Sequence, residues 1–175
     1  MAFWRAVLLL AAMAGALCAQ PSLRPRAGRE MDVATARQLI DSGRFVRVRE
    51  VAEGILRANK DSVMGNYLMG VAMHRGEGNL PLARYYLGRG RKLLQQDLLQ
   101  AASQDGVELH SNLLFEMMLV AVLTEKHHEQ IQLASEFNRL FGIDMGERTG
   151  WSLMKLGRHQ EARQLMLRYL KSNAP

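Results

Sequence analysis

The 175-residue chain predicts an all-α fold of stacked helix pairs, on three observations. Apolar residues after about residue 31 recur at intervals of three and four, the period of one helix face, and nowhere alternate convincingly. The chain is rich in Leu, Ala, Arg, Gln and Glu, with eleven Met and only 6% aromatic residues, a mixture that favours helix over strand. Breaks at Gly43, Gly78, Lys126 and Gly157 interrupt the pattern at separations of 35, 48 and 31 residues, the signature of a repeat architecture. With 48% hydrophobic and 23% charged residues the composition is globular, not disordered or collagen-like.

Residues 1–19 read as a secretory signal peptide. Arg5 precedes an uncharged run from Ala6 to Leu17, too short for a permanent span of about 20 apolar residues. Small residues follow, and cleavage after Ala19 leaves Gln20 as the new N-terminus. The alternatives are an uncleaved anchor or a lipid on Cys18, the latter opposed by Leu17, where a lipoprotein signal has Gly, Ala or Ser. The expected location is therefore secreted or periplasmic. Cleavage removes the single cysteine, and with it any disulfide or thiol nucleophile. Residues 20–30 form a Pro-bearing lead segment, and 31–175 the helical domain.

The helices follow in order. Ala36, Leu39 and Ile40 form the first stripe, stopped at Ser42-Gly43 by a left-handed residue. Val48, Val51, Ala52, Ile55 and Leu56 form the second, ending at Asn59-Lys60-Asp61. Asp61 or Ser62 caps a third helix carrying Met64, Tyr67, Leu68, Val71 and Ala72, which ends across His74 to Gly78. Asn79 caps the fourth, and Pro81 sits in its first turn, where a missing N–H costs nothing. That helix is expected to run to about Ser103, weakened by Gly88 and Gly90.

Asp105-Gly106 is expected to interrupt the pattern, with a fifth helix from about Val107 to Glu125. Its stretch from Leu113 to Leu123 is the most apolar of the mature chain, carries Glu116, and is short of spanning length, so it reads as buried. A sixth helix covers about His128 to Phe141 and stops at Gly142. Asp144 and Glu147 have capping-box spacing for a seventh, which Gly157 closes, and an eighth runs from Arg158 to Ser172. The expectation is eight helices in four antiparallel pairs.

Counting from the four breaks, the fifth residue onward is Val48, Ala83, Ile131 and Ala162, and the ninth is Ala52, Leu87, Ser135 and Met166. In this pattern the chain resembles the tetratricopeptide repeat family over about residues 31–175. The clearest unit supplies Gly150, Leu153, Leu156, Gly157, Ala162, Met166, Tyr169 and a late Pro175. The next supplies Met69-Gly70, Met73, Gly78, Ala83 and Leu87, with one residue inserted before Gly78. The other two depart further, with Val48 and Ile131 where the family prefers Ala. The resemblance implies a right-handed α-solenoid of about four helix-turn-helix repeats, stable only because neighbours stack.

It also implies a concave groove lined by the first helix of each pair. Carried over, the groove positions are Val33, Arg37, Ile40 and Asp41; Tyr67, Val71, His74 and Arg75; Glu116, Val120, Leu123 and Thr124; and Glu147, Trp151, Met154 and Lys155. Of these, Arg37, Tyr67, His74, Arg75, Glu116, Glu147, Trp151 and Lys155 are the candidate partner-binding residues, with Trp151 the natural anchor. The family's peptide-carboxylate clamp is not reproduced by Val33/Arg37 or Tyr67/Val71, which argues against a chaperone-tail ligand.

No catalytic, cofactor or metal site is expected. His127-His128-Glu129 lacks the two-His helical spacing of a zinc protease, and Gly76-Glu77-Gly78 and Gly88-Arg89-Gly90 follow no strand. His110, His127, His128 and His159 read as surface or cap residues. Charge is uneven: fourteen Lys plus Arg face eight Asp plus Glu from Gln20 to Asp97, and eight face nine from Leu98 to Pro175. Export sets nucleic acid aside for this basic half, leaving acidic peptides, acidic glycans or lipid headgroups, against the plainer reading that arginines solvate helix faces. Leu165, Met166, Leu167, Tyr169 and Leu170 give the last helix more apolar surface than one buried face requires. That feature points to self-association, or to a docking module at the front of a longer envelope enzyme. The favoured function is an exported scaffold that binds a protein or peptide.

Overall fold

The computed structural model describes residues 31–172, and the signal-peptide and lead-segment readings lie outside them. The described residues are 83% helical and contain no strand, so the fold is all-α. There are nine α-helices among them: α1 (Val33–Asp41), α2 (Phe45–Ala58), α3 (Val63–Val71), α4 (Leu80–Gln96), α5 (Leu98–Ala102), α6 (Gln104–Leu123), α7 (His127–Phe141), α8 (Gly146–Lys155) and α9 (His159–Ser172). A π turn, Ala72–Gly76, prolongs α3.

Local chemistry accounts for most boundaries. Asp32, Ser62 and Asn79 cap α1, α3 and α4, each accepting from a backbone N–H three residues on. The breaks within the expected pairs are left-handed: Gly43 at φ 68°, Gly78 at 66° and Gly157 at 74°. Glu125 takes that role at φ 56° in the third break, one residue before Lys126. This corrects the register there. Counted from Glu125, the fifth and ninth positions are Gln130 and Ala134, both buried, whereas Ile131 is only half-buried and Ser135 is exposed. No glycine marked the turn, which is why the sequence pattern slipped by one.

The residue inserted before Gly78 is taken up by the π turn, whose wider ring absorbs an extra residue without ending the helix. Accordingly the Asn79 N–H reaches back six residues to the Met73 carbonyl, where Lys126 and Arg158 reach back five, to Ala121 and Leu153.

Three further expectations are corrected. The long helix from Pro81 to Ser103 divides at Asp97, whose carboxylate accepts from the Gln100 N–H and starts α5. No side chain of α5 is fully buried, and Leu98 and Leu99 are 77% and 89% exposed. Asp105-Gly106 does not interrupt α6 but lies in its first turn, where Ser103 caps the Gly106 N–H. Only glycine fits, since a Cβ there would stand 1.8 Å from the Gln100 carbonyl oxygen. The capping box at Asp144 and Glu147 is also absent; Asp144 accepts from Gly146 two residues on, and Glu147 is exposed.

Packing runs along the chain. α1 packs on α2, α2 on α3, α3 on α4, α4 on α6, α6 on α7, α7 on α8 and α8 on α9. Leu68, Leu87, Leu94 and Leu113 are fully buried in one core that spans α1–α4 and α6. Each contributes about 1.5–3 kcal/mol of burial. Leu114, Met118, Leu133, Ala134 and Phe137 form a second core between α6 and α7. The helix α6 serves both, with Leu109, Leu113 and Val120 in the first and Leu114, Met118 and Ala121 in the second. By length and composition alone it could cross a membrane; here its apolar side chains are shared between the two cores. Small residues set the approach of helices: Gly70 lies against Leu87, and Gly150 against Met166.

Candidate functional site

A cleft of about 210 Å³ opens between α1, α3 with its π turn, and α6. From α1 come Val33, Arg37, Ile40 and Asp41, spaced so that all four lie on one helix face. α6 contributes Asn112, Phe115 and Glu116, and Glu108 continues the same stripe one turn earlier. Between them stand Tyr67 of α3 and Arg75 of the π turn.

Glu116 organises the polar side. It is only 3% exposed in the middle of an apolar helix, so its charge needs partners. One oxygen lies 2.9 Å from His74 Nδ1, and the other accepts from the Arg75 guanidinium. His74 and Arg75 are consecutive, and on a regular α-helix they would point about 100° apart. From the π turn both nevertheless meet one carboxylate, and π turns of this kind often mark functional sites. A close approach holds the turn in place, for a Cβ on Gly76 would meet Phe45 Cβ of α2 at 2.6 Å.

Across the cleft, one Arg37 terminal nitrogen donates to Glu108 at 2.5 Å, tying α1 to α6. Tyr67 is 6% exposed, yet its hydroxyl has no hydrogen-bond partner among the described residues. Burial first, and the Glu116 charge second, raise its pKa well above the usual phenol value, keeping it a neutral donor.

Four of the eight candidate binding residues, Arg37, Tyr67, Arg75 and Glu116, thus share one cleft, and His74 stands behind it on Glu116. The other three, Glu147, Trp151 and Lys155, belong to α8 and do not line it. Trp151 is 48% exposed, and the Lys155 ammonium sits 4.9 Å from its ring centroid. Arg148, also on α8, places its guanidinium 4.8 Å from the Phe115 ring that lines the cleft. Val71 and Val120, expected in the groove, are buried core residues, and Leu123 and Thr124 also lie outside the cleft.

Sequence reasoning missed Glu108, Asn112, Phe115 and Arg148. The first two are eight and four residues before Glu116, so the helical stripe itself was the available signal. The histidines divide. His127 Nδ1 lies 3.2 Å from the buried Ser152 hydroxyl. His110 is half-buried, edge-on to Phe141, rather than at the surface. Its pKa is lowered by burial, with Glu136 opposing and Arg91 assisting. No group of three or more His, Cys, Asp or Glu side chains among the described residues is arranged to hold a metal. No protein-family model, curated protein or solved structure matches the chain.

Proposed function

We propose that the chain is an exported scaffold of tetratricopeptide-like helix pairs that holds a protein or peptide against the face lined by α1, α3, α6 and α8. The observation that carries this reading is the convergence of Arg37, Tyr67, Arg75 and Glu116, assigned to a groove by repeat register alone, on a single cleft. The half-exposed Trp151 of α8, the helix whose Arg148 stands over Phe115, supplies an aromatic anchor. The all-α fold, packing that runs chiefly between consecutive helices and recurrent left-handed breaks support a reading as a right-handed solenoid of four such pairs. Export rests on residues 1–19, and intact mass should give Gln20 as the mature N-terminus.

The test is capture of partners by the mature chain from the exported fraction, read by mass spectrometry. Arg37→Ala and Trp151→Ala should each weaken the captured species, and unchanged capture by both removes the reading. The basic half gives less support to a bare anionic-surface binder. Seven of its arginines, among them Arg49, Arg84, Arg89 and Arg91, are paired with carboxylates among the described residues. Self-association through α9 is a second reading, favoured by Leu167 and Leu170, both largely exposed. Sedimentation of the full chain over a range of concentrations tests it, and a constant monomer mass excludes it.

A further inference from the structure

We infer that the cleft between α1, α3 and α6 takes one glutamate side chain of an extended partner segment, with its carboxylate on Tyr67 and Asn112 between the two arginines. This inference rests on the groove reading above and names its chemistry.

The cleft holds more donors than acceptors. Tyr67 is 94% buried as a residue and its hydroxyl makes no hydrogen bond among the described residues, nor does the side-chain amide of Asn112. Arg37 and Arg75 each commit a single terminal nitrogen, to Glu108 and Glu116, leaving the rest of each guanidinium fork free. On the acceptor side, both Glu116 oxygens are taken by His74 and Arg75, and Asp41 stands on the opposite wall. An occupant must therefore bring acceptors. A carboxylate does so with charge-assisted bonds about twice as strong as neutral ones.

The remaining features limit that occupant to one side chain. A volume of about 210 Å³ is below the roughly 300 Å³ at which small-molecule pockets begin. Val33, Ile40 and Phe115 form an apolar wall that suits the methylenes of glutamate and leaves them out of water. With Arg37 and Arg75 already paired to Glu108 and Glu116 and Asp41 also on the lining, the cleft has no charge to spare for a polyphosphate backbone, and an isolated carboxylate relies on the Tyr67 and Asn112 donors.

The test uses the full chain and an eight-residue Gly-Ser peptide with one central Glu, blocked at both ends, followed by NMR. Saturable shifts of the Asn112 side-chain amide are expected. The matching Gln peptide should bind at least ten-fold more weakly, and Tyr67→Phe should cost about ten-fold for the Glu peptide, the value of one hydrogen bond to a charged group. Asn112→Leu is the second variant, expected to weaken binding several-fold with an unchanged melting temperature. Equal binding of the Glu and Gln peptides overturns the inference. So does binding only by a Gly-Ser peptide with a free C-terminus, or shifts at Asn112 produced by oligo(dT) and not by the peptide. Saturable shifts confined to Trp151 and Lys155 sink the inference but leave the groove, whereas no shift at either place removes both.

Discussion

The close approach of α3 and α4 rests on Gly70, and replacing it with Ala should reverse the usual effect of that substitution. A Cβ at Gly70 would stand 2.5 Å from Leu87 Cγ, 2.7 Å from its Cδ2 and 3.2 Å from its backbone nitrogen. Ordinary carbon contacts need about 3.5 Å, so roughly 1 Å must be recovered. Leu87 is fully buried and one of the three atoms is backbone, so a rotamer change alone does not supply it. Overpacking of this kind costs about 1–3 kcal/mol, against a helix-propensity gain of about 1 kcal/mol. The net expectation is a loss of up to about 2 kcal/mol, seen as a melting temperature lower by up to about 6 °C.

Gly88, also within a helix and with nothing within 4 Å of its would-be Cβ, is the internal control. Gly88→Ala should stabilise by about 0.5–1 kcal/mol. Thermal and urea unfolding of the two variants decide the matter. If Gly70→Ala stabilises as much as Gly88→Ala, the α3–α4 packing described here is wrong. Tyr67 lies one turn before Gly70, so Gly70→Ala should also disturb the cleft.

Three further outcomes follow from the buried ionisable groups. Glu116→Gln keeps the shape but leaves Arg75 and His74 without their anion, and should lower stability by about 1–3 kcal/mol in urea; a neutral result means the carboxylate does not anchor the π turn. Tyr67 has a raised pKa when folded, so its contribution is complete below about pH 10 and is lost as pH rises. Absorbance titration should show one tyrosine that ionises only with unfolding, absent in Tyr67→Phe. His110 has a lowered pKa when folded, so its contribution holds above about pH 6.5 and is lost on acidification. His110→Phe should make stability less sensitive to pH in that range, and an unchanged pH profile contradicts its burial.

Local signals were readable wherever one residue type carries the physics. Gly43, Gly142 and Gly157 end helices because the left-handed region favours glycine, and all three do so here. Caps at Ser62 and Asn79 were equally plain. The third break was misplaced because Glu125, a residue with no such preference, adopts the left-handed conformation there. The division at Asp97 was hidden because capping competes with an otherwise helical run, and the exposed Leu98 and Leu99 read as core by type.

At the cleft, Arg37, Tyr67, Arg75 and Glu116 followed from helical register, which orders residues along one face. Asn112 and Phe115 did not, since the length of α6 shifts its contribution one turn toward its N-terminus relative to the other first helices. Pairings such as Arg91–Glu136, 45 residues apart, depend on which helices stack, which no local pattern contains.

The central claim is that a partner lies along the face of α1, α3, α6 and α8. Its most direct measurement places a photo-crosslinking amino acid at Arg37 or Trp151, with Tyr85 on α4 as the control, and maps adducts formed in the exported fraction. One adduct species common to Arg37 and Trp151 and absent from Tyr85 is the predicted result. Adducts from Tyr85 alone contradict it.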